Sequence, residues 1–368
     1  MSGVELHKIG PDDADQRIDR WLRKMHPHLL QGQIEKLCRK GEIRVDGGRV
    51  KASTRLDIGQ TVRLPPLRAA YAGGDPAAEA DAVPEVQNPE GKISDKDREM
   101  IQNTVIYKDD AMIVLNKPAG LPCQGGSGQG DRHIDGFAPA LMFGKPTPPR
   151  LVHRLDKDTS GILILARNVP AARALSESIR HRDADKIYWA LVAGVPHPAA
   201  GVIKYGLLKA GGRGPGGEGE KMRCISPSEI MSTEGAKRAV TEFALIEAAG
   251  DRLAWMGLRP VTGRTHQLRA HMAELGHPIV GDGKYGGSGQ ENLGEGWGAS
   301  LGGALSRKMH LHARSITIPH PTTGKPITLT ADLPEHMART WDFFGWDVRK
   351  APADPFIFYG AGPKKRKR

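Results

Sequence analysis

Residues 1–70 carry their apolar side chains in two different periods. Ile18, Trp21, Leu22 and Met25 recur at three- and four-residue spacing, which predicts a helix with one apolar face, ended by Pro27. Ile34, Leu37 and Cys38 predict a second short helix, with Gly41 as its C-terminal stop. The pattern then shortens. Glu42–Val45 and Arg49–Val50 flank Asp46-Gly47-Gly48, a hairpin signal, and Asp57–Leu64 reads as a further strand before Pro65-Pro66.

Residues 71–98 change character. They are rich in Ala, Gly, Pro and acidic residues with few large apolar side chains, so they read as a flexible linker. A larger domain is expected over 99–350. Thr104–Tyr107 and Met112–Asn116 predict a hairpin around Asp109-Asp110, stopped by Lys117-Pro118. Gly161–Ala166 is an apolar strand, and Ala171, Ala172, Leu175 and Ile179 mark an amphipathic helix. Strands are expected at Lys186–Val192, Ala239–Ile246, Arg252–Arg259 and Ile327–Leu333, and a helix at Thr265–Leu275 closed by Gly276. Strands outnumber helices without regular interleaving, which predicts an α+β fold rather than a doubly wound parallel sheet.

Composition narrows the function classes. The net charge of +11 attracts polyanions, nucleic acid first among them. Three cysteines lie far apart with no CxxC pair, which argues against a zinc ribbon or redox dithiol and suits a reducing compartment. No apolar run is long enough to span a bilayer, and Met1–Gly10 lacks the apolar core of a secretory signal, so a cytoplasmic protein is expected. The glycine-rich stretches 125–130 and 211–219 match neither GxxxxGK[ST] nor GxGxxG, so they read as loops rather than nucleotide cradles. A basic tail over 351–368 ends in Lys364-Lys365-Arg366-Lys367-Arg368.

Basic residues crowd the two N-terminal helices. Arg17, Arg20, Lys36, Arg39, Lys40 and Arg44 sit on or beside them, where they suit phosphate contacts. This helix-helix-strand order, with RIDRWL early and KGEIRVDGGRV later, resembles an S4-type RNA-binding domain over about residues 14–66.

The densest chemistry lies in Arg150-Leu-Val-His153-Arg154-Leu-Asp156-Lys157-Asp158-Thr-Ser-Gly161, just ahead of an apolar strand. Charges crowded there are costly unless they face a cleft and pair, so the composition points to a carboxylate held ionised by cations. HRLDKDTSG resembles the catalytic motif of the RluA-type RNA pseudouridine synthases. Asn116-Lys117-Pro118-Ala-Gly120, Lys186-Ile-Tyr188-Trp-Ala190, Gly263-Arg264-Thr265-His266-Gln267-Leu268-Arg269 and His277-Pro278-Ile-Val-Gly281-Asp282 resemble that family's other motifs, in order. Gln124-Gly-Gly-Ser-Gly and Arg132-His133-Ile134-Asp135 resemble the RluC-like branch, which modifies large-subunit ribosomal RNA.

The resemblance implies a bent, mostly antiparallel mixed sheet carrying a basic cleft, with Asp156 at its floor as the catalytic carboxylate. It implies that Arg269 pairs with Asp156 and that Tyr188 stacks on the target base. Arg154 would fill the gap left by a flipped nucleotide, and Leu268 would wall the pocket. Cofactors and metal are expected to be none, the partner RNA, no membrane, and the chain a monomer. Asp158, before Thr159-Ser160-Gly161, suits a turn better than a second catalytic carboxylate. His266 and His271 stand five apart, not the four of one helix face, which argues against a metal pair. Rival readings are a synthase for other ribosomal sites (RluD-like) or transfer RNA, a noncatalytic ribosome-assembly factor, and a metal-dependent RNA hydrolase using Asp156 and Asp158.

Overall fold

Side chains that alternate in direction along a strand can be apolar throughout only if both sheet faces are covered. Ser160–Ala166 is buried at every position, and this strand organises the larger part of the chain. The computed structural model describes residues 4–10, 13–26, 29, 31–66, 93–125, 132–181, 183–210, 221–286 and 305–357. The chain divides into two units, Met1–Val86 and Gln87–Arg368.

The first unit runs β1 (Glu5–Lys8), α1 (Ile18–Met25), α2 (Gln31–Lys40), β2 (Arg44–Val45), β3 (Gly48–Arg49) and β4 (Thr61–Leu64). Its antiparallel sheet has the order β1-β4-β2-β3. Ile18, Trp21, Leu22, Ile34, Leu37 and Cys38 from the helices pack with Ile43, Val45, Val62 and Leu64. Asp46 (φ 49°) and Gly47 (φ 78°) take the left-handed backbone that a two-residue hairpin turn demands. Met25, expected on the buried face, is 43% exposed, because the helix ends there, beyond the core. Strand β1 was not anticipated. It is an edge strand with Leu6 exposed, so no apolar alternation marks it.

The second unit begins with α3 (Asp95–Gln102), capped by Ser94, whose Oγ accepts from Asp97 N at 3.1 Å. This helix starts inside the stretch read as linker. There follow β5 (Val105–Lys108), β6 (Met112–Lys117), α4 (Ile134–Phe137), β7 (Arg150–Leu151), β8 (Ser160–Ala166), α5 (Val169–His181) and β9 (Asp185–Ala193). Next come β10 (Ala200–Ala210), β11 (Lys221–Ile225), β12 (Lys237–Ala249), β13 (Leu253–Pro260) and α6 (Gln267–Glu274). β14 (Leu311–Pro319), β15 (Pro326–Thr330) and α7 (Glu335–Phe343) complete the described elements.

Among the described residues the sheet has 11 strands in the order β11-β10-β12-β13-β9-β14-β8-β6-β5, with β15 on β14 and β7 on β8. The β14–β8 pairing is parallel and its neighbours are antiparallel. The fold is thus α+β with a mixed, mostly antiparallel sheet, as the resemblance implied.

Strand parity sorts the side chains. Leu163 and Leu165 pack with Ile113, Leu115, Ile134 and Phe137. Their alternates Ile162 and Ile164 pack with Met112, Val114 and the α5 residues Ala171 and Leu175. In β9, Ala190 and Val192 pack with Leu268 and Met272 of α6. Ile187, Trp189 and Leu191 pack instead with Met337 and Trp341 of α7. Tyr188, on the α6 side by parity, touches both the first of these clusters and the α6 cluster.

β10, β11, β14 and α7 were not anticipated. His312 and Arg314 interrupt the apolar pattern of β14, because both are consumed by internal hydrogen bonds. Residues read as the start of the tail pack on the sheet. Phe356 is buried beneath the Arg259 guanidinium at 4.1 Å, and Arg259 pairs with Asp354 at 2.7 Å. The glycine-rich runs 126–130 and 211–219 and the terminal lysine-arginine run lie outside the described residues. Among the described residues, no helix is long and apolar enough to cross a membrane.

Buried histidines give the larger unit a specific acid sensitivity. Burial pushes His310 and His312 down to about 3 and His271 down to about 4, from 6.5. Their folded values are depressed, so below 6.5 the unfolded chain binds protons that the native state refuses, and stability falls as pH falls. Each is expected to cost about 1.4 kcal/mol per pH unit between pH ~6.5 and its folded value. Urea unfolding at pH 7.0, 6.0 and 5.0 measures this. A flat stability across that range would contradict it.

Candidate active site

The turn leading into α6 is held by one buried glutamine. Gln267 Nε2 donates to Val240 O (2.9 Å) and Thr241 Oγ1 (3.0 Å). Its Oε1 accepts from Thr262 Oγ1 (2.6 Å) and Arg264 N (3.2 Å). All four hydrogen-bonding positions of the amide are therefore used. His266, just before the helix, takes a left-handed backbone (φ 51°), which is why α6 starts two residues later than its apolar spacing suggests.

Arg269 follows one helical step later, with 6% of its side chain exposed. An arginine this buried needs a matching anion. Asp282 supplies it in a two-pronged pair, with Nε to Oδ2 at 2.7 Å and Nη2 to Oδ1 at 2.8 Å. Asp282 has no side-chain exposure. Its Oδ1 also accepts from Lys284 N (3.0 Å) and Tyr285 N (3.3 Å), so the carboxylate closes its own turn. Gly281, ahead of it, has φ 76°, and a Cβ there would lie 2.1 Å from Lys308 O. Only glycine admits the chain at that point.

With Nε and Nη2 committed, Arg269 presents Nη1 to Asp156 Oδ2 at 3.4 Å. Asp156 lies in the loop between β7 and β8, and 27% of its side chain is exposed. This loop is tied down at alternate residues. His153 Nε2 accepts from Ile164 N at 3.0 Å, and burial pushes that imidazole down to about 3, so it stays neutral. Leu155 is bracketed by Cys123, whose Sγ donates to Leu155 O and accepts from Leu155 N, each at 3.3 Å. Lys157 O accepts from Lys117 Nζ (3.0 Å) and Gly120 N (2.9 Å).

Lys117 is fully buried and satisfies its other two donors on Pro118 O (2.9 Å) and Leu121 O (2.8 Å). Burial pushes its ammonium down to about 8, with Cys123, Asp158 and Asp156 opposing the shift. These ties leave Asp156 partly exposed, between the exposed side chains of Arg154 and Lys157. Arg154 is exposed and reaches Gln124 Oε1 only at 3.5 Å.

Tyr188 is half-buried, its hydroxyl has no hydrogen-bond partner among the described residues, and burial beside Asp156 and Cys123 raises its pKa. Leu268 is buried among Tyr188's neighbours. The structure thus brings Asp156, Arg269, Tyr188 and Leu268 to one face of the sheet, and Arg154 to the rim. Asp158 is exposed. His271 turns away to Thr241 Oγ1 at 2.9 Å, while His266 lies 3.8 Å from Asp156. Among the described residues, no group of three or more His, Cys, Asp or Glu is placed to hold a metal ion.

Sequence reasoning singled out Arg269 but gave no role to Asp282, Lys117, Cys123 or Tyr285. For Asp282 a signal existed. An arginine on the apolar side of a helix demands a buried acid, and Gly281-Asp282 is a turn able to deliver one.

On the S4-like unit, Arg20, Lys36 and Arg39 are exposed and make no ion pair among the described residues. Arg17 instead clasps Asp19 (2.6 and 3.1 Å), Lys40 lies 3.6 Å from Glu42, and Arg44 donates to Gly41 O and Gly47 O.

An arginine-steadied carboxylate on a mixed sheet, preceded by a basic S4-like unit, agrees with the comparisons. The RNA pseudouridylate synthase family matches residues 111–274, and the S4 domain matches residues 16–62. The chain belongs to the RNA pseudouridylate synthase family and is an RNA uridine isomerase. Ribosomal large subunit pseudouridine synthase C of Haemophilus ducreyi is 35% identical over 338 residues, 91% of this chain and 94% of that protein. RNA pseudouridine synthase 4, mitochondrial, of Arabidopsis thaliana is 34% identical, across 87% of this chain and 74% of its own. The solved structure of human RNA pseudouridylate synthase domain containing 4 superposes with a TM-score of 0.54 at 28% identity, covering 68% of this chain and 96% of that one.

Replacing Asp282 isolates its part in the site. Asp282→Asn leaves a buried guanidinium without its anion, and is expected to cost about 3–5 kcal/mol in urea unfolding. Any folded fraction should turn over more slowly while binding RNA normally. Wild-type stability and rate would show that Arg269 needs no such anchor.

Proposed function

We propose that Asp156 is the catalytic carboxylate and that the substrate is large-subunit ribosomal RNA, modified in the cytoplasm by a monomeric enzyme. The observation that carries the reading is the ion chain Asp282–Arg269–Asp156, which holds one partly exposed carboxylate against a buried guanidinium. Attack on C1′, addition to C6 of the uracil and removal of a sugar proton all require that ionised oxygen. The ribosomal assignment draws on the names of the bacterial relatives and on the S4 match.

In this reading the half-buried ring of Tyr188 stacks on the target base, and Leu268 walls its pocket. Arg154, exposed beside Asp156, occupies the space a flipped nucleotide leaves. The working division is 1–70 for RNA binding, a linker from 71 that ends ahead of α3, a catalytic unit from α3 through the packed Phe356, and a basic tail beyond it. Arg17, Arg20, Lys36, Arg39, Lys40 and Arg44 form the RNA-binding set. Exposed Arg20, Lys36 and Arg39 are the strongest phosphate contacts, since Arg17, Lys40 and Arg44 share their charge with protein partners.

The test is pseudouridine mapping of ribosomal RNA from cells lacking the protein, complemented with wild type or Asp156→Asn. Sites lost on deletion should return with wild type only, and purified Asp156→Asn should bind RNA with near wild-type affinity. Restoration by Asp156→Asn would sink the catalytic assignment, and an unchanged large-subunit map would sink the substrate.

A separate measurement addresses the first unit. Changing Arg20, Lys36 and Arg39 together to Gln should reduce the slope of log K against log salt by about 2–3. An unchanged slope would remove these residues from the RNA contact.

A further inference from the structure

His266 stands beside Asp156 and is mostly buried. Ten per cent of its side chain is exposed, and its Nε2 lies 3.8 Å from Asp156 Oδ2, the oxygen that also receives Arg269 Nη1. Its other ring nitrogen, Nδ1, lies 3.1 Å from the Tyr285 hydroxyl. That hydroxyl accepts from Met222 N at 2.7 Å. A phenol oxygen that accepts from a backbone N–H still has its own proton to place. The neighbour available to receive it is His266 Nδ1. A ring nitrogen that accepts leaves the proton of a neutral imidazole on the other nitrogen. The chain of bonds is therefore Met222 N–H to Tyr285 Oη, Tyr285 O–H to His266 Nδ1, and His266 Nε2–H toward Asp156.

The imidazole is neutral in this setting. Burial lowers its pKa first, Asp156 and Asp282 oppose, and Arg269 and Lys284 reinforce. Neutrality matters, because a second full cation on Asp156 would compete with Arg269. The rings of His266 and Tyr285 meet edge to face at 5.8 Å, and the guanidinium of Arg269 lies 5.3 Å from the Tyr285 ring centre. The three side chains thus hold one another.

We infer that His266 is a positioning residue for Asp156, held by Tyr285 in the Nε2–H tautomer. Together with Arg269 it flanks Oδ2 and leaves Oδ1 as the oxygen that faces the nucleotide. The left-handed backbone at His266 is part of the device, since it turns the ring back toward the β7–β8 loop. At 3.8 Å the contact is longer than a hydrogen bond, as contacts in catalytic sites often are without substrate. This inference rests on the catalytic role proposed for Asp156.

The test uses the full-length protein with 15N-labelled histidine, the His266 signals being assigned by their loss in His266→Asn. At neutral pH the expected state is Nδ1 unprotonated and Nε2 protonated, with mixed tautomers in Tyr285→Phe. Asp156→Asn should make the imidazole titrate at lower pH, because it removes the carboxylate that opposes burial. Asn tolerates a left-handed backbone and can reach the Tyr285 hydroxyl, but offers nothing at the Nε2 position. His266→Asn should therefore slow single turnover at saturating RNA about tenfold, with affinity unchanged within about twofold. His266→Gln, whose amide extends to the Nε2 position, should recover most of the rate.

A protonated Nδ1 in the wild type, or a wild-type rate in His266→Asn, would overturn the inference. Should His266→Asn fail to fold, the tautomer and titration of the otherwise intact protein still decide it. Full turnover by Asp156→Asn would instead overturn the role of Asp156, and the tautomer measurement would report on the contact independently.

Discussion

A guanidinium with 6% of its side chain exposed is costly to bury without an anion at hydrogen-bond distance, and the site is arranged around that need. Asp282 takes two of the Arg269 nitrogens and leaves one. The direction of that remaining Nη1 decides where a second carboxylate can be held, and Asp156 is held there. Each supporting feature serves this geometry. Gly281 allows the chain to pass against Lys308 so that Asp282 reaches inward. Gln267 pins the turn before α6, which sets the rotation of the helix and hence of Arg269.

The sheet supplies the second constraint. Asp156, Tyr188 and Arg269 are far apart along the chain, and they meet because β8, β14, β9 and β13 lie side by side. Parity then decides which side chains face α6. Tyr188 shares its face with Ala190 and Val192, while Ile187 and Trp189 look toward α7. The β7–β8 loop is held through the His153 ring, the Leu155 backbone and the Lys157 carbonyl, which leaves Asp156 partly exposed beside Arg269.

The pattern of hydrophobic positions identified α1, α2, the β2–β3 hairpin, β4, β5, β6, β8, α5, β9, β12, β13, α6 and β15, because most carry a clear period and a glycine, proline or acidic stop. It missed β1, α3, α4, β7, β10, β11, β14 and α7. Edge strands such as β1 bury too little to show alternation, and β14 hides His312 and Arg314 inside its pairing. Residues 94–98 read as linker because they are polar, yet polarity with a Ser cap also suits the first turn of a helix.

What the residues alone determined was the α+β class, a basic helix-helix-strand first unit, and the charged motif that contains Asp156, since local spacing and charge carry these. Arg269 and Tyr188 came through resemblance to a family. Asp282, the inward ties of Cys123 and Lys117, and the Tyr285–His266 pair were decided only by tertiary structure. Their roles depend on which buried donor meets which acceptor across strands distant in sequence. Burial, not composition, makes each of those pairings obligatory.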